Sequence, residues 1–137
     1  MWENFPRDFL NQAEKKWSAV VSDTHSFAWF LNKDARLSSV ARTAFKDAEA
    51  NGQQIYVPSI VLIEMRYLVE KRSISESDYQ TALAILRNPL TATIIAPLDL
   101  EVADFLKRIN RADVPDMPDR IIAATALYLG LPLVTGE

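Results

Sequence analysis

The stretch "IYVPSIVLIEMRYLVEK", Ile55 to Lys71, changes its hydrophobic period partway along. Ile55 to Val57 is β-branched and aromatic, which reads as a short strand. Pro58 and Ser59 then cap a helix running from Ile60 to about Lys71. A strand that passes at once into a helix is half of a parallel crossover unit, and the same alternation recurs on both sides.

Upstream, Ala19 to Ser22 is a continuous apolar run of the kind expected when a strand is buried on both faces. Phe27 to Leu31 follows as one or two helical turns. Arg36 to Asn51 places Leu37, Val40, Ala41, Ala44, Phe45 and Ala48 on one helical face, with Gly52 just past its end. Downstream, Ser75 and Asp78 resemble a capping box that opens a helix closed by Pro89. Thr93 to Ala96 is a further β-branched strand. Asp99 caps a helix carrying Val102, Phe105, Leu106 and Ile109. Asp116 to Leu129 is the most apolar helix, and Leu131 to Val134 closes the pattern as a strand. The expectation is an α/β protein, a three-layer α/β/α sandwich around a parallel sheet, over residues 19–137.

Residues 1–18 stand apart. Trp2, Phe5, Phe9, Ala13 and Trp17 fall at three- and four-residue steps, so the segment reads as an amphipathic helical extension that docks on the domain or on another copy of the chain.

Composition removes several function classes. The 137 residues contain no cysteine, which excludes disulfides, zinc–thiolate centres and a thiol nucleophile. Net charge is −3, so no overall basic footprint for nucleic acid exists. The longest mostly apolar run, Ile121 to Val134, is interrupted by Thr125, Gly130 and Pro132 and is too short to span a bilayer. The first residues lack the basic start and apolar core of a signal peptide. A cytoplasmic protein without membrane contact is expected.

Carboxylates carry the chemistry. In an open parallel sheet, ligands bind beyond the carboxyl ends of the strands. Asp23 lies just past the first strand and Glu137 just past the last, so parallel strands would bring both to one edge. Glu64 has Ile60, Val61, Tyr67 and Leu68 as helical neighbours and lies about 200° around the helix from Arg66. Arg66 and Glu70 mark the solvent side, so Glu64 points inward. A fourth position comes from "DVPDMPDRIIAATAL", where Asp116 reads as an N-cap and Asp119 as a first-turn acid favoured by the helix dipole.

Each has an ordinary alternative: a turn or cap for Asp23, an ion pair with Arg42 or Arg120 for Glu64, a solvated end for Glu137. Taken together, four carboxylates on one edge would repel one another without a cation. Mg²⁺ or Mn²⁺, one ion or two, takes such oxygen ligands and suits phosphodiester hydrolysis. His25, the single histidine, is more often structural than a ligand in such a position.

Three blocks, "VVSDTHSFAWFL", "VPSIVLIEMRYLVEK" and "DMPDRIIAATALYLGLPLVTGE", resemble the PIN domain, and within it the VapC-like ribonuclease toxins of bacterial toxin–antitoxin pairs. The resemblance runs from Val20 to Glu137. It implies a Mg²⁺-dependent endoribonuclease with Asp23, Glu64, Asp119 and Glu137 as catalytic and metal-ligating acids. Glu137 stands where such proteins usually carry aspartate, and they normally continue with one more strand and helix. The resemblance also implies a small antitoxin partner and a homodimer. Thr24, Arg120 and Thr135 are the candidate RNA contacts, beside Lys71 and Arg72, which read better as solvated helix-end cations. The competing expectation is a PIN-fold scaffold that binds RNA or protein and has lost turnover, motivated by Glu137. A phosphatase of the haloacid dehalogenase type would need a second aspartate where His25 stands.

Overall fold

A computed structural model describes residues 19–136; the helical extension expected over 1–18, and Glu137, lie outside the described residues. Four strands form one sheet: β1 (Val20–Ser22), β2 (Ile55–Pro58), β3 (Thr93–Ala96) and β4 (Leu133–Val134). Their order is β3-β2-β1-β4, and every pairing is parallel. Val21 pairs with Tyr56 on one side and Leu133 on the other.

The helices are α1 (Thr24–Leu31), α2 (Ser39–Ala50), α3 (Ser59–Glu70), α4 (Glu76–Arg87), α5 (Leu100–Phe105) and α6 (Met117–Leu129), with a 3₁₀ turn at Leu106–Arg108. Adjacent residues of β1 and β4 point to opposite faces, and both faces are covered. Val20 and Val134 join Ala41, Phe45 and Ala48 of α2 in one buried cluster. Val21 and Leu133 join Val61 and Met65 of α3 and Ile122, Ala123 and Ala126 of α6 in another. This is the expected three-layer sandwich. Phe27 and Phe45 are the bulkiest wholly buried side chains, each contributing roughly 1.5–3 kcal/mol of transfer free energy.

Local chemistry accounts for the element ends. The side chains of Ser38, Ser75, Asp99 and Asp116 each accept a backbone N–H from the first turn of the helix that follows. Gly130 ends α6 at φ 68, the left-handed conformation glycine adopts without steric cost. The structure departs from the sequence reading at several element ends, with α1 starting at Thr24 rather than Phe27, α2 at Ser39 rather than Arg36 and β4 at Leu133 rather than Leu131, and in three further details. Ser59 does not cap α3: its hydroxyl donates to the Ala96 carbonyl (3.2 Å) and accepts from the Leu98 N–H (3.3 Å), which ties α3 to the end of β3. The helix after Asp99 is shorter than its apolar spacing suggests, tightening into the 3₁₀ turn at Leu106. Arg66 pairs not with Glu70 but with Glu76 of α4, through two 2.9 Å bonds.

Among the described residues no helix is long and apolar enough to cross a membrane.

Candidate active site

The chain fills one side of β1 with β2 and β3, then crosses back to lay β4 on the other side. Strand order therefore reverses between β1 and β4, where open parallel sheets leave a crevice beyond their carboxyl ends. Asp23 leaves β1 at that point. Its backbone is extended and its side chain caps α1.

Asp23 is 6% exposed and held from two directions. Oδ1 accepts the Ser26 N–H at 2.9 Å and the Ser26 hydroxyl at 2.6 Å, while Oδ2 accepts the Gly136 N–H at 2.9 Å. The wholly buried Ser22 and Ser26 hydroxyls lie 2.7 Å apart beneath it. The Asp23 N–H donates to the Val134 carbonyl at 3.0 Å, completing a clasp between β1 and β4. Burial pushes the Asp23 carboxyl above the ordinary carboxylate range, opposed by the Ser26 and Gly136 bonds and by His25.

Glu64, on α3, is half-buried rather than core-facing. Ile63 and Tyr67 beside it are 64% and 59% exposed, so that side of the helix is open. Its Oε1 accepts the Thr24 hydroxyl at 2.5 Å. Neither arginine considered as its partner reaches it. Arg42 donates to the Asp34 carbonyl, and Arg120 donates through Nη2 to the carbonyls of Leu106 (3.2 Å) and Ile109 (2.9 Å). The Glu64 carboxyl is raised by burial first, then by the charges of Asp116 and Asp23, against the lowering effects of the Thr24 bond and His25.

Asp116 is thus more than a cap. Its Oδ2 does accept the Asp119 N–H at 3.3 Å, yet its charge is also felt at Glu64. The signal available in the sequence was the pair Asp116 and Asp119 opening one helix; the capping role of the first concealed the second. Asp119 is half-buried in the first turn of α6. Thr135 is buried directly after β4. Thr24 and Arg120, expected at the substrate, have that hydroxyl and that Nη2 engaged within the fold. The Arg120 Nε is buried with no partner.

Among the described residues no three Asp, Glu or His side chains stand close enough to share one ion. The donor chemistry nevertheless fits a hard divalent cation. Asp23 and Glu64 are oxygen donors, neither is paired with a lysine or arginine among the described residues, and burial penalises their charge. Mg²⁺ keeps several waters and takes only one or two carboxylates, so this pair suffices in kind.

A comparison with protein-family profiles matches the PIN domain, generally a family of RNA-binding nucleases that use divalent metal ions, over residues 20–137. Neither the curated proteins nor the solved structures gave a match. The matched region spans nearly the whole parallel sandwich and its acidic edge, and the chain belongs to the PIN domain family.

Proposed function

We propose that the chain is a metal-dependent endoribonuclease that hydrolyses RNA phosphodiester bonds, with Asp23 and Glu64 as the direct ligands of Mg²⁺ or Mn²⁺ and Asp119, joined by Glu137, acting on the ion through its bound waters. The observation that carries the reading is Asp23: a buried carboxylate at the switch point of a parallel sheet, gripped by three donors and paired with no lysine or arginine among the described residues. A bound divalent ion lowers the pKa of a coordinated water and stabilises charge on phosphoryl oxygens.

The residues of the chain supply positioning. Ser26 and Gly136 fix both oxygens of Asp23, and Thr24 fixes one oxygen of Glu64, leaving Oε2 for a ligand. Thr24 and Arg120 act as supports, Arg120 by holding α6 to the 3₁₀ turn. Thr135 sits where the clasp meets the cleft. The resemblance of the three motif blocks to VapC-like proteins supports a toxin role, with a small antitoxin as partner, a homodimeric state and a cytoplasmic setting.

The test is cleavage of single-stranded RNA by purified protein with Mg²⁺ or Mn²⁺, beside EDTA and an Asp119→Asn variant. Loss of cleavage in both controls is expected. Equal cleavage by the variant identifies a contaminant. No cleavage of a broad RNA panel, with no metal binding by calorimetry, would leave the scaffold reading standing.

A further inference from the structure

Helix α1 carries more than the cap at Asp23. His25, its second residue, is exposed, and its imidazole lies against the indole of Trp29 with ring centroids 5.5 Å apart at 48°. The Arg36 guanidinium stands 5.0 Å from the centroid of the Trp29 ring, held there by Asp34 through Nε and Nη2. Trp29 itself is half-buried and packs on the α2 cluster. The indole is therefore anchored from below, and His25 is the ring presented to solvent.

The stack borders the acidic edge. A Cβ on Gly136 would stand 2.8 Å from the His25 Cβ and 3.4 Å from Cζ3 of Trp29, so the stack abuts the same residue whose N–H grips Asp23. His25 also adjoins Thr24, whose hydroxyl binds Glu64, and lies two residues after Asp23.

Resting on the ribonuclease reading, we propose that His25, backed by Trp29 and Arg36, is the platform on which one unpaired base of the RNA substrate stacks beside the carboxylates. The lining of the edge argues for a base rather than a phosphate. Asp23, Glu64 and Asp116 repel a phosphodiester until a cation is present, and the charge of Arg36 is already met by Asp34. A nucleobase is neutral and offers a π-face, so it gains from an exposed, buttressed ring whatever the metal does. Bases within a duplex are already stacked, and the platform therefore selects single-stranded segments.

The experiment is fluorescence anisotropy of a labelled single-stranded RNA oligomer with the full chain in Ca²⁺ in place of Mg²⁺, which offsets the acids, with the oligomer confirmed intact on a gel afterwards. His25→Ala is expected to weaken binding about tenfold, and His25→Phe to restore it. His25→Asn, which keeps hydrogen bonding without an aromatic face, stays weak. An abasic oligomer binds the wild-type chain and His25→Ala equally. Thermal melting confirms that each variant is folded, which exposure of the side chain favours. Unchanged binding by His25→Ala overturns the platform, as does rescue by Asn but not Phe, or wild-type protein that binds no RNA. The two readings separate cleanly. His25-dependent binding without cleavage keeps the platform and removes the nuclease, while metal-dependent cleavage with His25-independent binding does the reverse.

Discussion

At Glu64, stability and the proposed metal-dependent activity pull in opposite directions. Burial and the charges of Asp116 and Asp23 all favour its protonated form, and only the Thr24 hydroxyl and His25 favour the charge. Glutamine preserves the acceptor for Thr24 and turns an amide N–H₂ toward the acids. Glu64→Gln is therefore expected to raise the melting temperature of the metal-free protein while lowering metal-dependent cleavage at least about 100-fold. Calorimetry and an oligomer assay read the two effects, and a lowered melting temperature would mean that the carboxylate is a net stabiliser. The sequence showed that Glu64 turns away from Arg66, but not that the helix face beside it opens to solvent at Ile63 and Tyr67. The closeness of Asp116 to Glu64 was hidden for a related reason. It depends on the packing of α3 against α6, and one-dimensional spacing records only the cap.

Strands and helices were legible because each carries its own period and its own stop. Thr93–Ala96 reads as a strand from β-branching alone, and the structure ends it at the same residues. Boundaries failed where a distant group decides them. The Arg120 guanidinium takes the carbonyls of Leu106 and Ile109 around the 3₁₀ turn, and Ser59 binds β3 instead of its own helix. The loop after β4 is the most exacting of these junctions. The His25 Cβ is fixed to the backbone of α1 and cannot swing aside, so a methyl at Gly136 must displace the loop. Gly136→Ala is expected to destabilise the protein by roughly 1–3 kcal/mol in urea unfolding and to weaken the hydrogen bond to Asp23. An unchanged midpoint would show that the loop yields freely.

At the scale of the molecule, two pairs of acids among the described residues have opposite pH behaviour. Asp34 and Glu76 are held down to about 2 by Arg36 and Arg66, so their contribution is present above the usual carboxylate range and fades as pH falls toward that value. Asp23 and Glu64 are raised, so the folded state holds more protons than the unfolded one, and metal-free stability falls as pH climbs through that window. A divalent cation competes with those protons. Mg²⁺ should raise the melting temperature more at about pH 8 than at about pH 5, measured at constant ionic strength. An equal rise at both would exclude these carboxylates as the ion's ligands. The order of the sheet adds a consequence in time. β1, the first made of the four strands, lies in the interior of the sheet, and the bond from Gly136 to Asp23 joins residues 113 apart. While the ribosome is still elongating, Asp23 and Glu64 have already emerged, but the strand that closes their crevice has not. An edge built this way stays unassembled until β4 clears the exit tunnel, so whatever the crevice does, it does only once β4 has docked.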